Sequence, residues 1–389
     1  MNTYEKDKQF IANTYSRFPV EIVKGKGSLC WDANGKEYID FGSGIAVNSM
    51  GFCDDEWVEA VTKQLNTFQH TSNLYFQSPC IKLAEELCKR TGMKKIFFSN
   101  SGAEANECAI KTARKWAEEN KGSDCYKIIT LKNSFHGRTI TTLAATGQDV
   151  FHKDFLPLTD GFLYAEANDI NSVKEIVEKE KIAAIMFEAV QGEGGIVSLD
   201  KDFVLGLKQI ADEYNILLIA DEVQIGNGRS GMLYGYMTFG IQPDIVTTAK
   251  GLAGGLPFGA TMFGEKTADV LKAGMHGSTF GGNPVCAAGA VNILSRIDDK
   301  LLSEVKEKSE FIKKQLEGAK GIKSISGMGL MLGVETEKDA KQIVNKCIEK
   351  GVLFLTAKTK VRLLPALNIP TDLLKKAIDI LKEVCAEEI

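Results

Sequence analysis

Two short apolar runs in this chain each end near a single ionisable residue. NILLIAD stops at Asp221 and passes into IGNGRSG, and DIVTTAK stops at Lys250 and passes into GLAGGLPFG. In an α/β protein the carboxyl ends of buried strands are where ligand sites assemble. An amine and a carboxylate brought to that edge are the pair that pyridoxal phosphate chemistry requires. The amine condenses with the cofactor's aldehyde, and the carboxylate keeps the pyridine nitrogen protonated so that the ring accepts electrons. Either residue alone reads equally well as a polar end to a strand, so the pair needs support from the rest of the chain.

That support is distributed over several segments. FFSNSGAEANE reads as a strand, a Ser-Gly-Ala turn and a helix start. Backbone N–H groups at such a start bind phosphate, with Ser101, Gly102 and Ala103 as the cradle. The same residues also read as an N-cap by Ser101, with Glu104 at capping-box spacing. In KNSFHGRT, Phe135 is either a platform for a planar cofactor or a core residue, and Arg138 offers a fork for a carboxylate. EAVQGEGG supplies Glu188 at a strand end and Glu193 between glycines. VRLLP sets Arg362 among apolar residues, where a guanidinium needs an internal acid or a ligand. GSTFGGNPVCAAGA brings Ser278 and Thr279 ahead of a small-residue helix, suited to phosphate contacts or to tight packing. Gly226, Gly228 and Gly231 spell G-x-G-x-x-G, but no helix pattern follows them, so a dinucleotide site is not expected.

The elements that must position these residues follow from periodicity. From about residue 79 to 295, apolar strand-like runs (KKIFFSN, YKIITL, KIAAIMFE, NILLIAD, DIVTTAK, GATMFG) alternate with helical stretches such as AEANECAIKTARKWAEEN and KDFVLGLKQIADEY. This pattern predicts an α/β fold with a mainly parallel sheet covered by helices. The C-terminal part reads as a smaller α+β unit of two helices, SISGMGLMLGVE, VLFLT, VRLLP and a last helix from Pro370. SLCWDANGKEYIDF carries an Asn34–Gly35 hairpin signal, and the N-terminal segment is expected to join the small unit or form an arm. The resulting division is 1–50 as N-terminal segment, 51–295 as the large domain and 296–389 as the small domain.

Of the 389 residues, 44% are apolar and 25% charged, as in an ordinary globular protein. A net charge of −4 gives no reason to expect nucleic acid as a partner. The longest apolar stretches are far too short to span a bilayer, and MNTYEKDKQFIANTYSRFPV lacks an apolar core, so cytoplasmic residence is expected. Nine cysteines are scattered with no C-x-x-C, the usage of a reducing compartment. Four histidines lie far apart, and no metal is expected.

Taken in order, TYSRFPV, GSGIAVNSMG, SNLYFQSP, FFSNSGAEANE, SFHGRT, EAVQGEGG, ADEVQIGNGRSG, AKGLAGGLPFGA, GSTFGGNPVCAAGA and VRLLP resemble the class III (omega) aminotransferases, which are pyridoxal-phosphate-dependent enzymes of fold type I. The resemblance runs nearly end to end. It implies that Lys250 bonds the cofactor and then acts as general acid/base, that Asp221 pairs with the pyridinium nitrogen, and that Gln224 meets the ring's phenolic oxygen. Phe135 would stack on the ring. Gly102 and Ala103 would hold the phosphate together with Thr279 of the partner subunit, in an obligate homodimer. Ser101, Glu188, Val223 and Ser278 complete the implied cofactor set. Arg138 would bind the carboxylate remote from the reacting carbon. Arg362 would bind the α-carboxylate of glutamate or 2-oxoglutarate, and Glu193 would release it on cue. Asn73 is the remaining implied substrate contact. TYSRFPV, GIAVN and HTSNLY further imply transfer of the δ-amino group of N2-acetyl-L-ornithine to 2-oxoglutarate; succinylornithine, succinyldiaminopimelate, ornithine and 4-aminobutyrate are the rival donors. The chain departs from the usual family pattern at Ala189 (usually Pro), at Ile225 (frequently Thr) and in FCDDEWV, where the family is rich in His and Pro. None of these removes a catalytic group.

Overall fold

The computed structural model describes residues 1–387. Its centre is a seven-stranded sheet. The strands lie in the order Phe162–Ala165, Lys127–Leu131, Ile182–Phe187, Leu217–Asp221, Ile245–Thr248, Gly259–Phe263 and Lys95–Ser99. The first five are mutually parallel. Gly259–Phe263 runs antiparallel to both of its neighbours, so Lys95–Ser99 points the same way as the five. The expectation of a mainly parallel sheet therefore holds with one reversed strand. Six strands end on one edge of the sheet, and Ser101, Phe135, Glu188, Asp221 and Lys250 all lie at or just beyond those ends.

Burial explains the near-continuous apolar runs. Every residue of Ile182–Phe187, Leu217–Asp221, Ile245–Thr248 and Gly259–Phe263 is buried. Each fully buried Ile or Leu contributes roughly 2 kcal/mol from transfer alone, which fixes these strands at the centre. The helix Gly102–Lys121 packs its small face (Ala105, Cys108, Ala109, Thr112, Ala113) on the sheet, and the small side chains let its N-terminus approach the strand ends closely. Ser101 caps it: Glu104 N–H donates to Ser101 Oγ at 3.2 Å. The Glu104 carboxylate reaches back to Asn100 N–H (3.0 Å), one residue earlier than a capping box requires.

The sequence patterning does not mark the helices Asp55–Thr67 and Ser78–Thr91; the first buries no residue fully, and the second buries Leu83, Leu87 and Thr91. The apolar run VLFLT splits between two sheets. Val352–Leu353 pairs parallel with Glu37–Asp40, extending the hairpin that turns at Asn34–Gly35, while Leu355–Ala357 pairs with Lys360–Leu363. The N-terminal strands thus share a sheet with a C-terminal strand. Lys360–Leu363, which carries Arg362, is the third strand of the sheet that begins with the hairpin Ile322–Met328/Met331–Thr336. Among the described residues no helix is long and apolar enough to cross a membrane.

Candidate active site

The strand ends enclose a cleft of about 640 Å³ lined by Ser101, Gly102, Ala103, Phe135, Arg138, Glu188, Asp221, Val223, Gln224 and Lys250, with Tyr15 and Val47 reaching in from the N-terminal segment. The strand Ile245–Thr248 stops two residues short of Lys250, which opens a short 3-10 turn with φ +38°. A left-handed lysine is an outlier of the kind that collects at functional sites. The turn is braced from below by Ser49, whose Oγ donates to Gly251 O at 2.9 Å.

Asp221 ends its strand buried and fully engaged. Oδ1 accepts from Val223 N–H (3.0 Å), and Oδ2 accepts from Asn106 Nδ2 (2.8 Å) and lies 2.8 Å from His136 Nδ1. Asn106 also donates to His136 O at 2.7 Å, locking the three together. Neither Asn106 nor His136 was singled out as a site residue from sequence. The signals were adjacency alone: His136 follows Phe135 in SFHGRT, and Asn106 sits one turn into the helix from Gly102. Two atoms of this cluster, Asn106 Oδ1 and His136 Nε2, are buried without a hydrogen-bond partner among the described residues.

Glu188 is buried and accepts from Phe135 N–H at 3.0 Å. Burial, reinforced by the Asp221 charge, pushes its carboxyl well above the usual range, against the pull of the Phe135 N–H and Lys250. Lys250 keeps some surface open to the cleft, yet desolvation drives its ammonium pKa down. The charges of Glu193, Asp221 and Glu188 oppose that shift, and Arg362 adds to it. A buried amine with a lowered pKa is available as a neutral nucleophile or base.

Glu193 stands in the turn between the paired strands Val190–Gln191 and Val197–Ser198. Arg362 Nη1 donates to Glu193 Oε1 at 2.5 Å and to Gln224 Oε1 at 3.3 Å, and Gln224 Nε2 donates to the same Glu193 oxygen at 3.3 Å. Burial would raise the Glu193 carboxyl, but the Arg362 charge and hydrogen bond, with Lys250 and Gln224, hold it below its ordinary value. Arg362 is 5% exposed and its Nε has no hydrogen-bond partner among the described residues. Arg138, by contrast, is exposed and makes no ion pair among the described residues; its guanidinium lies over the Phe135 and Phe151 rings.

Three expected site residues lie elsewhere. Asn73, Ser278 and Thr279 line a second cleft of about 650 Å³ with His70, Leu74 and His276. Asn73 Nδ2 donates to Ser278 O (3.1 Å) and Gly281 O (2.8 Å), and Ser278 Oγ accepts from Asn100 Nδ2 at 3.1 Å. Within one chain these contacts tie Asn73 to the 278–281 loop and Ser278 to Asn100, which lines the cleft that contains Lys250. Thr279 is exposed beside them, on the surface from which the resemblance would have it serve a partner.

The chain is similar to known proteins along nearly its whole length. The family model for class-III aminotransferases matches residues 10–385. The chain is 48% identical to acetylornithine aminotransferase of Haemophilus ducreyi, over 98% of each chain. It is 46% identical to acetylornithine aminotransferase of Caldanaerobacter subterraneus, over 100% of this chain and 99% of that one. Among solved structures it is similar to the Toxoplasma gondii ornithine aminotransferase, whose active site holds PLP at partial occupancy (TM-score 0.93, 32% identity, 98% of this chain and 93% of that chain).

Proposed function

The chain belongs to the class III aminotransferases, and on that premise we propose that it transfers the δ-amino group of N2-acetyl-L-ornithine to 2-oxoglutarate, a step of arginine biosynthesis. The products are N-acetyl-L-glutamate 5-semialdehyde and L-glutamate. One observation carries the reading: the cleft presents two arginines in different states, Arg138 open and Arg362 held by a carboxylate on a hairpin turn. An enzyme that alternates between a monocarboxylate amine and a dicarboxylate needs this arrangement. Of the acids here, Glu188 and Asp221 lie at the strand ends and Glu193 is held by Arg362. Among the described residues no acid pairs with Arg138, so an acylated nitrogen, which needs no counter-charge, suits that end better than a free α-ammonium.

The cofactor is pyridoxal phosphate. The residues fit it on two counts. A Cβ at Gly102 would sit 2.5 Å from Val223 Cγ1, so glycine alone leaves the helix start free to receive a phosphate, where the first-turn N–H groups have no intrahelical partner. Asp221 is a buried carboxylate organised by three donors, ready to face a cationic ring nitrogen. When bound, the cofactor supplies an electron sink and carries the amino group from one substrate to the other.

The chain's own residues do the rest. Ser101, Gly102, Ala103 and the partner's Thr279 would hold the phosphate. Phe135, Gln224 and Val223 would contact the ring, and Glu188 fixes Phe135 through its backbone. Arg138 anchors the carboxylate remote from the reacting carbon. Lys250 Nζ takes the proton from the δ-carbon of the donor and later returns one to the α-carbon of the forming glutamate. Glu193 neutralises Arg362 while the amine donor is present, then yields it to the α-carboxylate of 2-oxoglutarate. The functional unit is a homodimer, a reading supported by Thr279, which is exposed on the second cleft where a partner could use it. Nine free cysteines, Cys53 exposed among them, suit the cytoplasm.

A panel of single half-reactions tests the donor. The loss of cofactor absorbance is compared for N-acetylornithine, N-succinylornithine, N-succinyl-diaminopimelate, ornithine and 4-aminobutyrate. N-acetylornithine is expected to react with the highest kcat/KM; clear preference for ornithine or 4-aminobutyrate would overturn the reading.

A further inference from the structure

The residue that holds Arg138 in place lies outside the cleft. The Arg138 guanidinium carbon is 5.0 Å from the centroid of the Phe151 ring and 5.5 Å from that of Phe135. The two rings meet edge to face, 5.8 Å apart at 69°, so the guanidinium cannot lie flat on both. The closer ring is Phe151, which does not line the cleft. A cation over an aromatic face is held by the ring's quadrupole, and this restraint leaves every N–H of the fork free for a ligand. An acidic partner would occupy the fork and compete with the substrate.

The backbone carrying Phe151 is built as a support for the Phe135 segment. Asn133 N–H donates to Gly147 O (2.7 Å), Gly147 N–H donates to Ser134 Oγ (3.0 Å), and Gln148 Nε2 donates to Ser134 O (3.0 Å). Gly147 permits this approach, since a Cβ there would meet Leu131 O at 2.1 Å. A short 3-10 turn, Asp149–Phe151, then aims the ring back at Phe135 and Arg138. Phe151 is half-buried on a mostly polar turn (TGQDVFHKD) whose other apolar side chain, Val150, points to solvent.

We propose that Phe151 is a positioning residue for substrate carboxylates. It orients Arg138 through its ring face and keeps Phe135 at the angle that leaves the guanidinium reachable from the cleft. The proposal rests on the reading of Arg138 as the carboxylate anchor, and the experiment separates the two.

Phe151→Leu, Phe151→Tyr and Arg138→Gln holoenzymes are assayed with N-acetylornithine, with 2-oxoglutarate and with pentylamine, an ω-amine that has no carboxylate. The Kd of glutarate, which cannot react, is measured by calorimetry. Leu keeps the apolar bulk and loses the quadrupole. Phe151→Leu is expected to raise KM for both carboxylate substrates and the glutarate Kd about three-fold, with kcat and the pentylamine reaction unchanged. Phe151→Tyr should restore wild-type values, and Phe151→Leu should add nothing in an Arg138→Gln background. Wild-type KM and Kd in Phe151→Leu, or an equal loss with pentylamine, would overturn the proposal for Phe151. Wild-type KM and Kd in Arg138→Gln would instead overturn the anchor role on which it rests.

Discussion

At the scale of single residues, the Arg362–Glu193 pair is organised for release. The guanidinium is buried, one of its nitrogens has no partner among the described residues, and its acid stands on a short hairpin turn and remains partly exposed. A ligand carboxylate that displaces Glu193 inherits a desolvated cation, and the leaving acid returns to water; both favour exchange over a permanent bond. Arg362→Ala is therefore expected to raise KM for glutamate and 2-oxoglutarate by about 100-fold while changing the N-acetylornithine half-reaction by less than about five-fold. Stopped-flow comparison of the two half-reactions checks this, and equal losses would reject the exchange. Glu193 stays ionised below the ordinary carboxylate range. Its contribution is thus present above the unfolded value and fades only as pH falls through the lower folded one. That Arg362 needs a partner was legible in the sequence, because a charge among apolar residues demands one; that the partner is Glu193 came only from the family resemblance. His136 and Asn106 were not, because what unites them with Asp221 is convergence of a loop, a helix and a strand that lie far apart in the chain.

At the scale of elements, the strand end Asp221 is held by its neighbour. Glu222 is buried, and its two oxygens accept from Gly235 N–H (2.6 Å) and Tyr236 N–H (2.7 Å), closing the loop that carries Gln224 and Asn227. Burial raises its pKa from an ordinary 4.5 to about 8, although the two N–H donors work against the shift. A carboxyl whose folded pKa is raised binds more protons folded than unfolded. Its contribution is complete below about pH 4.5 and is lost as pH rises through about 8. Glu222→Gln is expected to flatten that fall in melting temperature between pH 5 and 8. It should also lower stability by about 2 kcal/mol, since an amide NH2 then faces a backbone donor. An unchanged slope in the variant would remove Glu222 as its source. The same loop shows where periodicity reaches its limit. Strand existence was readable from burial on both faces, as in IAAIMF and LLIAD. Strand direction was not, because Gly259–Phe263 is as uniformly buried as its parallel neighbours. VLFLT read as one run because nothing in its composition marks the point where it leaves one sheet for another.

At the scale of the whole molecule, one face is unfinished in a single chain. Leu74 (88% exposed), Phe76 (100%) and Phe280 (63%) lie by Asn73 and Thr279, an apolar surface beside residues with no role in their own cleft. Covering it with a second copy would deliver Thr279 to the partner's phosphate site. Sedimentation should find a dimer for the wild type. Phe76→Glu combined with Phe280→Glu should give monomers that lose pyridoxal phosphate on dialysis, and a fully active monomer would contradict the shared site. The fold class was readable from the alternation of apolar runs and helical stretches. The contacts of Asn73 and Ser278 with one another's loops were not, because the two residues lie 205 positions apart in the chain. The central claim, that Lys250 is the amine that holds the cofactor and yields it to N-acetylornithine, has one direct measurement. The holoenzyme is reduced with borohydride and its peptides are weighed, with and without prior exposure to N-acetyl-L-ornithine in the absence of a keto acid. The reduced cofactor is predicted on the Lys250 peptide of the unexposed enzyme and absent from it after exposure. A tag on another lysine, or a Lys250 tag that survives N-acetylornithine, would contradict the account.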